Sequence, residues 1–268
     1  MQIPPKHLLL HSQKLGLVAQ RLEQRTHNPL VVGSIPTRPT LIKGETLRRV
    51  SPLFFKSPMI YENQPIDAII FDLGGVILNI DYQLPVKAFK KLGIENFNEL
   101  FSQVSQSNLF NDYETGKISS DEFIKEIKKY VKVDTSEEAI IAAWNSILLD
   151  LPEDRLFTLE KAAENHRIFL LSNTNALHIE SFNYYLLNSL QLPSLEPFFE
   201  TLYLSYEIGL RKPDLRFFEY VLQDAGLIPE RTLFIDDSIQ HIQAASELGI
   251  ITKHLVNENI TAFLEGKI

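Results

Sequence analysis

The sequence predicts an α/β fold: a three-layer core in which helices cover both faces of a parallel sheet, with a small helical segment inserted after the first strand. Three observations carry this. From Ile66 onward short apolar runs recur, several too continuously apolar for a sheet with one wet face. Segments of helical period separate them, which is the alternation of a doubly wound fold. Residues 82 to about 150 break that alternation with helical patterns alone.

The first strand is AIIFD, residues 68–72. The inserted stretch then reads LPVKAFKKLG, NFNELFSQVSQS, SSDEFIKEIKKYV and SEEAIIAAWNSIL, all helical in period, with Ser, Asp and Thr placed to cap helix starts. A helical bundle beside the active edge of a sheet can act as a lid. A helix over 153–165 returns the chain to the sheet, where RIFLLSN (167–173) and TLYLS (201–205) read as strands. A helix over 214–225, the strand TLFIDD (232–237), a helix over 238–248 and the strand ITKHLV (251–256) complete the alternation. In the last helix Ile239, Ile242, Ala245 and Leu248 share one side. The expected organisation is a core of residues 59–81 and 151–268 with a helical cap of residues 82–150 between its two parts.

Composition narrows the function classes. The chain has no cysteine, which excludes disulfides, thiolate metal sites and cysteine nucleophiles. No run approaches the length of about 18 apolar residues that a membrane span needs. The net charge of −8 is uneven: residues 1–58 hold nine Lys and Arg against two acids, leaving 17 against 32 in the rest. An acidic body argues against a nucleic-acid partner, which needs clustered positive charge. A soluble cytoplasmic protein is expected, a monomer or homodimer with no membrane partner.

Chemistry-bearing residues recur at strand ends: Asp72 after AIIF, Ser172 and Asn173 after IFLL, Lys212 in GLRKPD, and Asp236 and Asp237 after LFI. Each alone has a plain structural reading as a turn, a helix cap or a solvated lysine. Together they make a phosphoryl-transfer set. A carboxylate can attack phosphorus and split hydrolysis into two steps. Neighbouring carboxylates repel unless a hard cation such as Mg²⁺ sits among them. A lysine neutralises nucleophile and phosphate, while a hydroxyl and an amide donate to phosphate oxygens.

These motifs resemble those of the haloacid dehalogenase-like hydrolase superfamily, over residues 66–257. FDLGGVIL resembles its first motif, LLSNTN its second, the lysine of GLRKPD its third and FIDDSIQHIQAASELGI its fourth. The helical insertion is similar to that of the helical-cap subgroup, and FDLGGVILNID, LSNTNALH, LRKP and IDDSIQHIQAA are most similar to the branch containing glucose-1-phosphate phosphatases and the phosphatase domain of soluble epoxide hydrolases. The resemblance implies a Rossmann-like core and a Mg²⁺-dependent phosphatase of a small phosphorylated metabolite, a sugar phosphate being favoured. It implies Asp72 as nucleophile and metal ligand, the Gly74 carbonyl as a second ligand, and Asp237 in direct metal contact with Asp236 as its neighbour or a water-mediated ligand. Ser172 and Asn173 would hold the phosphate and Lys212 would bridge it to Asp72.

Position 74 departs from the pattern. Most phosphatases of the superfamily carry a second Asp two residues after the nucleophile, as acid for the leaving alcohol and base for water. Such catalysis is worth about 10²–10⁴ in rate, or roughly 3–5 kcal/mol. The substrate can need less help, as an anomeric phosphate does; Asp81 or His178 can substitute, the latter titrating near neutrality; or the chain binds phosphosugars with weak catalysis. A metal-independent 2-haloacid dehalogenase is the enzyme alternative.

Half of the 14 prolines precede Met59, and little packed structure is expected there. HLLLH is too short for a secretory core, no clean Arg/Ser amphipathic pattern marks a transit peptide, and a basic tail for an anionic partner is a second reading. GLVAQRLEQRTHNPLVVGSIPTRPT, residues 16–40, reads as the conceptual translation of a transfer-RNA gene, with Gly33 to Pro36 encodable by GGTTCGATCCC. A spurious extension with translation starting at Met59 is therefore expected. Deleting residues 1–58 should leave solubility and phosphate-release rates unchanged, and a loss of either in the purified truncated protein would refute that reading.

Overall fold

The computed structural model describes residues 59–94 and 108–268. The expectations for residues 1–58 and for a helix within NFNELFSQVSQS lie outside the described residues. A hairpin that the sequence pattern did not announce comes first, β1 (Met59–Tyr61) and β2 (Gln64–Ile66), paired antiparallel with Met59 opposite Ile66. Its six paired residues are too few to display an alternation.

Five parallel strands follow: β3 (Ala68–Phe71), β4 (Arg167–Ser172), β5 (Thr201–Leu204), which runs directly into the one-turn helix α7 (Ser205–Ile208), β6 (Thr232–Asp236) and β7 (Ile251–His254). Their order is β5-β4-β3-β6-β7, so the first strand lies at the centre. Ala68 is in register with Arg167 on one side and Thr232 on the other, which brings the carboxyl ends of β3, β4 and β6 to one edge. The strands at the centre are buried on both faces, as their unbroken apolar runs require.

On one face Ala68, Ile70, Phe169, Leu171 and Phe234 pack against α8 (Leu215–Asp224) and α9 (Ile239–Glu247) through Phe217, Phe218, Val221 and Ala245. The two-residue alternation of a strand turns Ile69, Phe71 and Leu170 to the other face. There α5 (Glu153–Asn165) packs against β4, and α10 (Ile260–Leu264) packs against α5. One detail differs from the expected pattern: Ile239 is exposed, because it occupies the first turn of α9, while Ala244 joins Ile242 and Ala245 in the core.

The insertion contributes α1 (Gln83–Lys91), α2 (Leu109–Glu114), α3 (Ser120–Ile127) and α4 (Glu137–Asn145). Ser119 caps α3 in a reciprocal pair with Glu122, and Ser136 caps α4. These helices bury an apolar cluster of their own around Phe89, Tyr113, Phe123, Ile140 and Trp144. Tyr113 stacks on Phe123 at 4.3 Å between ring centroids, and Phe123 lies 4.7 Å from Trp144. Leu177 of α6 (Ala176–Tyr185) completes this cluster, and its backbone N–H donates to the Tyr113 hydroxyl at 3.2 Å. The insertion is thus seated on the start of α6.

The two connections to the insertion run side by side. Asn79 N–H donates to the Asp150 carbonyl, Leu149 N–H to the Asn79 carbonyl and Asp81 N–H to the Ile147 carbonyl, each at 3.0 Å, with Ile80 paired antiparallel to Leu148. Arg155 of α5 clamps this ribbon by donating to the Ile77 carbonyl and to Asn79 Oδ1, both at 2.8 Å. Among the described residues no helix is long and apolar enough to cross a membrane.

Candidate active site

Each carboxylate of the site stands where a strand of the sheet runs out. Asp72 follows β3 and stays in register through its N–H, which donates to the Ile235 carbonyl at 3.0 Å. Asp236 ends β6 and Asp237 follows it. The ligand oxygens of Asp72, Asp236 and Asp237 all lie within 4.8 Å of one another.

Lys212 enters from the loop before α8, fully buried, and its Nζ lies 2.7 Å from Asp72 Oδ1 and 2.7 Å from Asp236 Oδ2. An ammonium taken from water must be paired, since the penalty for an isolated buried ion is several kcal/mol. Burial pushes the Lys212 ammonium down, but Asp236 and Asp72 more than offset it and hold its pKa above the ordinary lysine value. Burial pushes Asp72 up to about 7, with Lys212 opposing and Asp236 adding to the rise. Asp236 is held down to about 2 in spite of its burial, by Lys212 and by His241. Burial and the charge of Asp236 raise Asp237.

With all three carboxylates ionised, one ammonium would leave two negative charges uncompensated, which adds to burial in pushing Asp72 and Asp237 towards protonation when no cation is bound. That excess fits one divalent cation with oxygen preference, so the residues present suit Mg²⁺. The two adjacent acids differ in how free they are. Asp236 accepts from Lys212, from the Ser238 N–H at 2.8 Å and from His241 Nδ1 at 2.9 Å, so both of its oxygens are engaged. No other described residue donates to the Asp237 carboxylate; only its carbonyl is paired, with His254 Nε2 at 2.9 Å. Nor is any described N–H paired with the Gly74 carbonyl. Gly75 has φ of +76°, and a Cβ there would come within 2.2 Å of Asp237 Oδ2, so only glycine lets this turn approach the acid.

Other expected residues take different places. Ser172 is buried at the rim, and its Oγ has only a marginal partner, the Asn173 carbonyl at 3.5 Å. The Asn173 amide, expected to donate to phosphate, instead clasps the backbone of Lys212: Nδ2 donates to its carbonyl and Oδ1 accepts its N–H, each at 2.8 Å. Asn173 therefore positions the lysine, with one of its two Nδ2 hydrogens committed to that clasp. Asp81 does not reach the site either. Its Oδ1 accepts the Gln83 N–H at 2.7 Å, so the carboxylate caps the start of α1.

His178 lines the same cavity as Asp72 but is not poised to carry protons. Its Nδ1 faces Asn175 Nδ2 at 3.0 Å, its Nε2 faces the Trp144 carbonyl at 3.4 Å, and the ring stacks on Trp144 at 5.0 Å. Burial pushes His178 down to about 4, below the near-neutral range the sequence pattern suggests for it. The sequence reading also passed over His241, which stands five residues after Asp236 in the first turn of α9. A histidine one turn beyond a strand-end acid is the signal that could have found it.

The cavity over these groups holds about 360 Å³ and is bounded by Asp72, Ser172, Lys212 and Asp237 on the core side and by Ile80, Tyr82 and Glu114 on the other. Three acids and a buried lysine gathered at the carboxyl edge of a parallel sheet, beneath a helical insertion, define an α/β protein with an aspartate-centred phosphoryl-transfer site. The chain belongs to the haloacid dehalogenase-like hydrolase family, which residues 66–249 match. It is similar to D-ribitol-5-phosphate phosphatase of Bacteroides thetaiotaomicron, 33% identical over 187 residues that cover 70% of this chain and 90% of the relative. Sesquiterpene phosphatase astK of Aspergillus oryzae is 26% identical, over 72% of this chain and 92% of its own. Among solved structures, the HAD family enzyme bt-2542 of Bacteroides thetaiotaomicron in complex with magnesium and inorganic phosphate superposes with a TM-score of 0.66 at 36% identity, covering 74% of this chain and 98% of that one.

The depressed value at His178 has a stability consequence. A histidine that protonates near 6.5 when unfolded and near 4 when folded gives full stability above about pH 6.5 and loses it as the pH falls towards 4. Thermal unfolding at pH 7 and pH 5 should therefore show a larger fall in Tm for the parent than for His178→Gln. Equal falls would mean that His178 is not held neutral by its burial.

Proposed function

We propose that this chain is a Mg²⁺-dependent phosphatase of small polyhydroxylated phosphate monoesters, working through an aspartyl phosphate on Asp72. The observation that carries the proposal is the buried Lys212 bridging Asp72 and Asp236 while the carboxylate of Asp237 stands free beside them. Asp72, Asp237 and the Gly74 carbonyl would hold the metal, with Asp236 behind them through water. Mg²⁺ supplies, when bound, neutralisation of the phosphate charge and alignment of its oxygens.

The remaining steps belong to the chain itself. Asp72 attacks phosphorus, the bond from phosphorus to the ester oxygen breaks, and the ester oxygen leaves as an alkoxide that takes its proton from water. Water then attacks the same phosphorus, releasing phosphate and restoring the carboxylate. Lys212 holds the Asp72 carboxylate in place and screens the approach of a dianion to it. Ser172 donates its hydroxyl to a phosphate oxygen, and Asn173 keeps Lys212 in position. The insertion, residues 82–150, acts as a cap over a core of residues 59–81 and 151–268, excluding bulk water.

The substrate class follows the phosphatases among the relatives, the ribitol phosphate enzyme being 33% identical over 90% of its own length. Within that class the missing acid at Gly74 favours esters whose leaving oxygen is weakly basic, such as anomeric sugar phosphates. The acidic body supports action on small molecules and not on nucleic acid, and the proposal places the enzyme in the cytoplasm as a monomer or homodimer.

A phosphate-release screen of the purified protein across sugar, polyol, nucleotide and alkyl phosphates should show turnover of the first two with Mg²⁺ and none with excess EDTA. Asp72→Asn should fall to background. Equal release by parent and variant would remove the assignment.

The space beside Gly74 makes a second test. Its φ is not in the left-handed region, but a Cβ there would lie 3.1 Å from Ile80 Cδ1, so Ile80 crowds the start of any side chain at this position. Gly74→Asp alone should gain little, whereas Gly74→Asp with Ile80→Ala should raise alkyl-phosphate turnover by about 10² over Ile80→Ala. A gain as large from the single change would show that Ile80 is not the obstacle.

A further inference from the structure

The groups that select the leaving alcohol are not among the residues that act on the phosphate, and the cavity wall offers one unusual pair. Glu114 ends α2 in the insertion, and Arg211 immediately precedes Lys212 in the core. Arg211 Nη2 lies 3.0 Å from Glu114 Oε2, with the two side chains only 35% and 21% exposed. Both residues line the cavity that holds Asp72 and Lys212. The pair is close but not aligned: Glu114 Oε2 and Arg211 Nε are buried without a hydrogen-bond partner. Burial raises the Glu114 carboxyl above its ordinary value and Arg211 pulls it back.

Buried polar atoms without partners are expensive and seldom left so without a use. An acid beside a guanidinium presents an acceptor and a set of donors side by side. A hydroxyl group matches both, because it donates and accepts through one atom. A second anion on the substrate would meet Glu114, and an apolar chain would leave the unpartnered atoms of both side chains without a hydrogen bond.

We propose that Glu114 and Arg211 form the leaving-group subsite of this chain and bind hydroxyl groups of a neutral polyol or sugar. The proposal rests on the phosphatase reading and deepens it: the core acts on the phosphate, while one residue of the insertion and one of the core read the alcohol. Because the two come from opposite sides of the cavity, a hydroxylated alcohol also holds the insertion against the core during turnover.

The test compares kcat/KM for D-ribitol 5-phosphate with that for 4-nitrophenyl phosphate, whose leaving group has no hydroxyl beyond the ester oxygen. In Glu114→Gln, and separately in Arg211→Lys, the ratio of the two should fall about tenfold or more, with recovery in Glu114→Asp if the carboxylate is what counts. A merely structural role would lower both substrates together, and an unchanged ratio in both variants overturns the proposal. A binding measurement separates this from failure of the phosphatase reading. Saturation-transfer NMR of free D-ribitol with inorganic phosphate and Mg²⁺ should show contact with the parent and loss of it in both variants. If the parent releases no phosphate from any ester, the phosphatase reading fails; ribitol binding that depends on Glu114 and Arg211 then still upholds the subsite, and its absence removes it.

Discussion

Lys212 has no exposed surface, and its ammonium survives burial because Asp72 and Asp236 each stand 2.7 Å away. Removing one partner of such an arrangement leaves an uncompensated charge and costs about 3–5 kcal/mol. The sheet must therefore deliver two acids to the same level, and the loop before α8 must deliver the lysine between them. Parallel pairing of β3 with β6 meets the first demand, since Asp72 donates its N–H to the carbonyl next to Asp236. Asn173 meets the second by binding both backbone polar groups of Lys212 from the end of β4. Three strands and one loop are thus locked to a single point.

The same arrangement divides labour between the neighbouring acids. Asp236 is surrounded by donors and acts as the anchor of the lysine, whereas Asp237 faces the cavity with its carboxylate unclaimed by other described residues. A site with an excess of two negative charges is a poor design for an empty pocket and a good one for a divalent ion and a phosphate together. The glycine turn after Asp72 serves that design, because its backbone comes closer to Asp237 than any side chain would allow.

The insertion is not loosely tethered. Its aromatic cluster is completed by Leu177 from the core, its two connections pair as a ribbon, and Arg155 clamps that ribbon from α5. Two consequences meet in the cavity. The ribbon holds Ile80 against Gly74, crowding the position from which an acid would extend, and α2 brings Glu114 to Arg211. His178, which looked like a proton carrier, is instead part of the seam between insertion and core, stacked on Trp144 and kept neutral by burial.

Much of this was legible in the one-dimensional pattern. Five short runs marked the five parallel strands to within one or two residues, and the three central ones, β3, β4 and β6, were marked most clearly because a strand buried on both faces tolerates few polar positions. Asp72, Lys212, Asp236 and Asp237 were legible because strand ends are where such folds place reactive groups. The hairpin of residues 59–66 and helix α6 were not, since the former is too short for a period and the latter buries only Leu177 and Phe182 along one side. Nor were the roles of Asn173, Asp81 and His178, whose residue types suit capping, clasping and catalysis equally well. The sequence by itself determined the parallel core and which acids and lysine stand at its edge, because local periodicity and strand polarity settle those. Only the tertiary structure decided which acid is free, what crowds Gly74 and which charges meet across the cavity, because those depend on distances between residues far apart in the chain.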